Sequence, residues 1–254
     1  MDLRAIIYGD VAALVHLVNF LYPPRCAACG RSLAIDATHR VCAACLARID
    51  PLPEPLCEVC GGPIESAESG EPRCARCSRH PPSFHRARAI ARYRPAAEDE
   101  PGTLPALVRR HKYGLDQAVG RAIAEYLPRS LPLAREDYDV VIAVPLHWRR
   151  LWWRGFNQAA LLAAEIAGRL ELALDTSALV RVRWTAPQTA RDHDERRRNV
   201  RRAFAVRHAP RVAGRRILLV DDVMTTGATA DECARTLIGA GARRVDVFTL
   251  ARVL

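Results

Sequence analysis

The sequence predicts an α/β domain built on a parallel sheet, preceded by a small cysteine-rich module. Three observations predict it. First, 254 residues with 50% hydrophobic and 26% charged content hold enough apolar material for one sizeable core and a second, smaller unit. Second, from about residue 84 onward, short apolar runs alternate with helix-like segments, the pattern of strands joined by crossover helices. Third, eight of the nine cysteines lie between Cys26 and Cys77 as four Cys-x-x-Cys pairs. The composition excludes a disordered or collagen-like chain.

Residues 1–22 open the chain. Val11, Leu14, Val15, Val18, Leu21 and Tyr22 recur at helical spacing, and Pro23-Pro24 stops the run. This predicts an amphipathic helix that packs on the body, because its polar face lacks the Lys/Arg stripe of a membrane-surface helix. Asp10, His16 and Asn19 interrupt the apolar stretch, so no membrane span is expected. A basic segment followed by a clean apolar stretch and a cleavage site is absent, and a cytoplasmic location is expected.

Residues 23–80 carry Cys26/Cys29, Cys42/Cys45, Cys57/Cys60 and Cys74/Cys77. Two thiolates two residues apart grip one ion from a tight knuckle, and four suit tetrahedral zinc. In this setting dense, regular cysteine pairs read as metal ligands rather than disulfides. Twelve residues separate Cys29 from Cys42 and thirteen separate Cys60 from Cys74. These gaps predict two consecutive zinc ribbons, Cys26/Cys29/Cys42/Cys45 and Cys57/Cys60/Cys74/Cys77; a cross-braced pairing is the alternative. With all four positions filled by protein thiolates, both zinc ions are expected to be structural. The formal charge of +10 drops to +6 once eight thiolates and two Zn²⁺ together subtract four charges.

Pro51, Pro53 and Pro55 link the ribbons, and Pro81-Pro82 close the module. Ala87, Ala89, Ala91 and Tyr93 then alternate with arginines, predicting a strand; residues 95–105, rich in proline and acid, predict a loop. Asp116–Leu127 and Asn157–Leu172 read as helices, Tyr138–Val144 as a buried strand. Ile217–Val220 predicts another buried strand, Thr229–Ala240 a helix ended by Gly241, and Val245–Leu250 a last strand.

Two strand exits carry unusual chemistry. Ile217–Val220 leads into Asp221-Asp222, then Val223-Met224-Thr225-Thr226-Gly227-Ala228-Thr229 runs straight into a helix. Amides at a helix start, helped by threonine hydroxyls, form a phosphate cradle, and Gly227 lets the main chain approach closely. The carboxylates upstream can hold ribose hydroxyls, directly or through Mg²⁺. The other exit is Val144-Pro145-Leu146-His147, followed by Arg149, Arg150 and Arg154-Gly155-Phe156-Asn157-Gln158. Trp148, Trp152 and Trp153 interleave with these arginines; at that spacing burial against the sheet is the plainer expectation, and nucleic-acid stacking the other. A third segment, Arg181–Phe204, holds eight arginines against Asp192, Asp194 and Glu195. It reads as a flap over a diphosphate, a strip for nucleic-acid backbone, or a salt-laced exposed helix.

The Val220–Thr229 segment resembles the 5-phosphoribosyl-1-pyrophosphate (PRPP) signature of type I phosphoribosyltransferases. By that resemblance Asp221 and Asp222 contact the ribose and serve catalysis. Thr225, Thr226, Gly227, Ala228 and Thr229 contact the 5′-phosphate, and Val220, Pro145, His147 and Arg154 join the binding set, with the arginines and loop amides after the first core strand facing the diphosphate and His147 a general acid, a Mg²⁺-shell residue or a loop donor. Taken together, the cysteine module, Val-Pro-Leu-His, Arg-Gly-Phe-Asn-Gln, the Arg181–Phe204 motif and Val-Asp-Asp-Val-x-Thr-Thr-Gly-Ala-Thr are similar to the ComF/GntX family, from about Leu21 onward. The resemblance implies a double zinc ribbon followed by a phosphoribosyltransferase-like domain over 84–254, with two zinc ions and Mg²⁺ bound with PRPP. Arg181–Phe204 also looks like the flexible loop of amidophosphoribosyltransferases. Lys112, Gln188, Arg196 and Asn199 match family positions without an assigned role, and Arg191 stands where relatives usually carry an apolar residue. The family is associated with natural transformation and single-stranded DNA in the cytoplasm. Two function classes follow: a phosphoribosyltransferase acting on an unidentified acceptor, and a binding protein that keeps the sugar-phosphate pocket and uses its basic surface on single-stranded DNA and the uptake machinery.

Overall fold

The computed structural model describes residues 23–34, 41–64, 72–94, 103–113, 133–185 and 193–254. The N-terminal helix expected over 1–22 and the helix expected over Asp116–Leu127 lie outside the described residues. Gln188 and Arg191 lie outside them as well.

The main sheet has five parallel strands in the order β1-β7-β6-β2-β3. They are β1 (Arg86–Tyr93), β2 (Val140–Ala143), β3 (Leu174–Asp175), β6 (Arg216–Met224) and β7 (Arg244–Val253). Its centre is apolar because β2 and β6 are covered on both faces: Val141, Ile142 and Ile217–Val220 are all but solvent-free. Each such side chain contributes about 1.5–3 kcal/mol on burial.

Helix α5 (Gln158–Leu170) packs on β2 and β6, and α7 (Ala228–Gly239) packs on β6 and β7. Asn157 starts α5, its Oδ1 accepting the Ala159 amide at 3.2 Å. The connection from β2 to β3 and that from β6 to β7 run in opposite directions along the sheet. Right-handed crossovers therefore place α5 and α7 on opposite faces, and the strand order switches between β2 and β6. A short helix, α4 (Trp148–Arg154), fills the exit of β2 and ends at Gly155 in the left-handed region, φ 77°. Such a C-terminal position favours glycine.

Three sequence expectations need correction. The segment 95–105 is not all loop, since helix α3 (Thr103–Tyr113) begins at Thr103 with Pro105 inside its first turn, where a missing N–H costs nothing. Strand β6 does not stop at Val220; neighbouring β7 offers partners further along, so pairing continues through Val223↔Ala251 and Met224↔Arg252. Trp148, Trp152 and Trp153 do not pack on the sheet but are 64%, 86% and 71% exposed. The arginine-rich segment is also more built than a plain exposed helix. Strand β4 (Leu179–Arg181) and β5 (Phe204–Val206) pair antiparallel, flanking α6 (His193–Val200), with Val200, Ala203 and Phe204 buried.

The cysteine module carries two short helices, α1 (Ala43–Ala47) and α2 (Ala75–Arg79), each starting directly after a knuckle cysteine. No helix among the described residues is long and apolar enough to cross a membrane.

Candidate functional site

The eight clustered cysteines form two separate groups, Cys26/Cys29/Cys42/Cys45 and Cys57/Cys60/Cys74/Cys77, each with its sulfurs within 4.8 Å of one another. The pairing is consecutive rather than cross-braced. A tetrahedral Zn–S₄ centre with ~2.3 Å bonds has sulfur–sulfur edges of about 3.8 Å. Cys29 Sγ lies 3.9 Å from Cys42 Sγ, and Cys60 Sγ lies 3.8 Å from Cys74 Sγ, so the donor sets fit zinc.

The same electrostatic gradient recurs in both groups. Burial works against ionising Cys26, but the amides of Cys29, Cys42 and Ala28 outweigh it and bring the thiol down to about 6. Cys57 follows the same logic, reaching about 7 through the amides of Cys60, Cys74 and Val59. Burial and the neighbouring sulfurs push Cys45 up to about 12 and raise Cys77 likewise. In both groups the first cysteine is thus lowered and the last raised, and in the second group burial raises Cys60 as well.

The second candidate chemistry lies at the switch between β2 and β6, the place past the strand ends where parallel sheets bind ligands. The Val144 amide donates to the Val220 carbonyl at 2.8 Å, which sets the two exits side by side. Asn157 Nδ2 holds the Val144 carbonyl at 3.0 Å. Past Val144, His147 is 6% exposed and caps α4, its Nδ1 accepting the Arg149 amide at 3.3 Å. Burial, then Arg149, Arg181 and Arg150, lower its pKa. With Nδ1 accepting, the proton of the neutral ring sits on Nε2.

Asp221 and Asp222 occupy consecutive positions on β6, so they address opposite sides of the strand. Each carboxylate accepts the next amide in the chain: Asp222 N to Asp221 Oδ1 at 2.8 Å, and Val223 N to Asp222 Oδ1 at 2.7 Å. Asp221 interacts electrostatically with Arg181 and with Cys233 of α7. Gly227 starts α7 with φ 79°, a conformation that favours glycine, and a Cβ there would meet Met224 Cε at 2.7 Å. Thr226 Oγ1 accepts the Ala228 amide at 3.3 Å, and the amides that open α7 follow. Thr225 is exposed at the loop tip, Thr229 is half-buried and Pro145 lines the facing exit. Arg154 is set back, its Nη1 donating to Gln158 Oε1 at 3.3 Å.

Arg150, already marked in the sequence at the β2 exit, and Arg181, which opens the arginine-rich segment, stand beside His147. Arg181 ends β4 beside His147 in a parallel bridge; its Nη2 donates to Thr185 Oγ1 and its guanidinium lies over Phe204. Burial, then neighbouring Arg150, lowers its pKa, while Cys233 and Asp221 oppose that. Arg150 Nη2 reaches the Thr185 carbonyl at 3.3 Å, with its guanidinium over the Trp184 ring. The sequence marks Arg150 by its place after the β2 exit, whereas for Arg181 the density of arginine does not say which side chains turn inward.

Residues 17–78 match a double zinc ribbon domain model, and residues 157–254 match a phosphoribosyl transferase domain model. The chain is 35% identical over 239 residues to the DNA utilization protein YhgH of Salmonella typhi, covering 91% of this chain and 98% of that one. It is 30% identical over 245 residues to competence protein F of Haemophilus influenzae, covering 94% of this chain and 100% of that protein. The chain belongs to the ComF/GntX family. A solved structure titled the allosteric regulatory enzyme of purine biosynthesis aligns over 56% of this chain and 30% of its own length, at 19% identity and a TM-score of 0.39. As in the family models, this ComF-family chain joins two Cys₄ zinc sites to a phosphoribosyltransferase-type sheet.

Proposed function

We propose that this chain binds PRPP with Mg²⁺ in the crevice between the exits of β2 and β6. The observation that carries the reading is the junction of the Asp221-Asp222 pair with the Thr225–Thr229 loop at the switch point of the sheet. The amides at the start of α7 and the hydroxyls of Thr225, Thr226 and Thr229 take the 5′-phosphate; the two carboxylates take the ribose hydroxyls and the magnesium shell. Val220 and Ala228 shape the floor. On the facing wall Pro145, the His147 donor and the cations Arg150 and Arg181 receive the diphosphate, while Arg154 acts from behind through Gln158. Such a site favours departure of pyrophosphate from C1 by positioning and charge stabilisation. The 84–254 segment then acts as a phosphoribosyltransferase-like unit behind the zinc module of 23–80.

Calorimetric titration with PRPP and Mg²⁺ tests the reading, followed by an assay for released pyrophosphate. The expected result is saturable binding in the wild type that Asp221→Asn and Asp222→Asn weaken. Absence of heat with the wild-type protein overturns it.

The exposed Trp148, Trp152 and Trp153, beside Arg149 and Arg150, favour a second reading in which single-stranded DNA lies along α4. Aromatic faces and cations supply stacking and phosphate contacts together. The names of the relatives, a DNA utilization protein and a competence protein, agree with a role in cytoplasmic DNA handling. Affinity for an oligonucleotide should then fall steeply with salt, through counterion release; affinity that stays level across that range excludes this reading.

A further inference from the structure

We propose that Arg252 is a positioning residue that ties the second zinc site to the phosphate loop, so that the metal and the sugar-phosphate crevice share one support. Arg252 lies near the end of β7 and is 7% exposed. A guanidinium buried that far needs partners and a counter-charge. It donates to the Cys60 carbonyl at 2.6 Å, lies 3.5 Å from Cys60 Sγ, and reaches Met224 Sδ at 3.4 Å. Among the described residues, no carboxylate forms an ion pair with it. Four thiolates around Zn²⁺ leave a net charge of −2, and that is the counter-charge this arginine faces. Gly62 leaves room for the arrangement, since a Cβ there would sit 3.0 Å from Arg252 Nη2.

The contact chain continues into the crevice. Met224 ends β6, pairs in register with Arg252, and lies under Gly227, the residue that starts α7. A second tie arrives from the other side of the same ribbon. Arg76, on α2 between Cys74 and Cys77, donates to the Thr226 carbonyl. Ser83, just past the module, gives its amide to Asp231 Oδ1 in the first turn of α7 at 2.7 Å. The root, the middle and the helix of the Thr225–Thr229 loop are thus all held from the second ribbon and its exit. Both ribbons bond to β1 at the sheet edge, the first through Arg92 N to the Asp50 carbonyl at 2.9 Å and the second through Ala87 N to the Val59 carbonyl at 2.6 Å; the ties to the Thr225–Thr229 loop come from the second.

The functional value of this tie rests on the PRPP reading, but the tie itself can be measured without ligand. The experiment uses the full zinc-loaded chain and the variants Arg252→Met, Arg252→Lys and Gly62→Ala. Zinc release to a colorimetric chelator is followed together with hydrogen exchange of the peptides spanning 224–230 and 41–50. In Arg252→Met one of the two zinc ions should leave about 10–100-fold faster, the size of effect seen when a partner of a metal ligand is lost. Exchange over 224–230 should rise while 41–50 stays unchanged. Arg252→Lys should restore zinc retention, because it returns a cation, but not loop protection, because an ammonium cannot span Cys60 and Met224 at once. Gly62→Ala, which keeps every polar group, should raise loop exchange to a smaller degree. In the cobalt-substituted chain the thiolate-to-metal charge-transfer band of one site should shift in Arg252→Met. Unchanged loop exchange in both Arg252→Met and Gly62→Ala overturns the proposal, as does equal acceleration of both zinc ions. Parallel calorimetry of the wild type with PRPP keeps the two readings apart: no heat there removes the ligand, while the exchange data still decide the tie.

Discussion

The two cysteine sites share the Cys-x-x-Cys knuckle and the donor set, and both bond to β1, yet among the described contacts it is the second that also reaches the Thr225–Thr229 loop. Cys26, Ala27, Val41, Cys45 and Ile49 of the first ribbon join the main hydrophobic core, whereas Cys57, Cys60 and Cys77 form a small cluster of their own with Val59 and Ile64. The first ribbon is anchored by shared apolar packing and by the Arg92 amide on the Asp50 carbonyl at the edge strand. The second is anchored by directed polar contacts, Arg252 to Cys60 and Met224, and Arg76 to Thr226. Apolar packing is indifferent to small shifts; directed hydrogen bonds fix position. Repetition of a motif therefore does not imply repetition of role: one ribbon closes a core edge, the other holds a loop in place.

The largest test of this contrast is metal removal. Structural zinc in small ribbons supplies about 10–16 kcal/mol of apparent binding free energy, so chelation should unfold residues 23–80 while the sheet persists. Limited proteolysis and circular dichroism check this; a metal-free chain whose ribbon stays protected would break the structural-zinc assignment. Serine substitutions then separate the sites. Cys74→Ser should cost at least about tenfold in PRPP affinity by releasing the loop, and Cys29→Ser should leave it within about twofold, a gap of roughly 1 kcal/mol or more. Equal losses would erase the difference between the ribbons.

The reverse direction sharpens it. Asp222→Asn removes a charge-assisted acceptor worth about 1.5–3 kcal/mol, so PRPP affinity should fall about 10–100-fold, with zinc content by mass spectrometry unchanged. Loss of zinc in that variant would mean that the crevice supports the ribbon rather than the converse. A smaller effect is expected from Arg76→Ala, which deletes one exposed hydrogen bond to the Thr226 carbonyl. Two- to fivefold weaker PRPP binding, about 0.5–1 kcal/mol, is the expected size.

The smallest effect lies at the opposite end of the strands and serves as a control. Asp139 joins β2 to β6 through Arg216, Oδ1 to Nη2 at 2.7 Å. The Arg216 hydrogen bonds hold its carboxyl down to about 2, below its ordinary 3.8. A folded-state pKa below the unfolded one adds stability that is complete above the unfolded pKa and is lost as pH falls through the folded one. Thermal melts of the wild type should therefore drop between pH 4 and pH 2 more steeply than those of Asp139→Asn. Neither zinc site should respond differently in the two proteins at neutral pH.

Much of this molecule was legible in the chain. The four Cys-x-x-Cys pairs announced two Cys₄ metal sites, and the gaps of twelve and thirteen residues favoured consecutive ribbons while leaving a cross-braced pairing open, which the clustered sulfurs decided. The apolar run Ile217–Val220, two acids, and a threonine- and glycine-rich turn announced a strand, a crevice edge and a helix start, since each rests on local backbone preference. Strands β3, β4 and β5 escaped because two or three residues carry no readable period. The exposure of Trp148, Trp152 and Trp153 escaped because spacing gives a shared helix face but not what covers it.

What the sequence by itself determined is therefore the local chemistry: thiolates spaced for metal, and amides, hydroxyls and carboxylates gathered at one strand exit. Only the tertiary structure decided which cations serve those groups. Arg252 meets a cysteine 192 positions away and Arg76 a carbonyl 150 positions away. The physical reason is that near neighbours are fixed by bond geometry and backbone propensity, while a buried charge finds its counter-charge only after the sheet has folded and brought distant segments together.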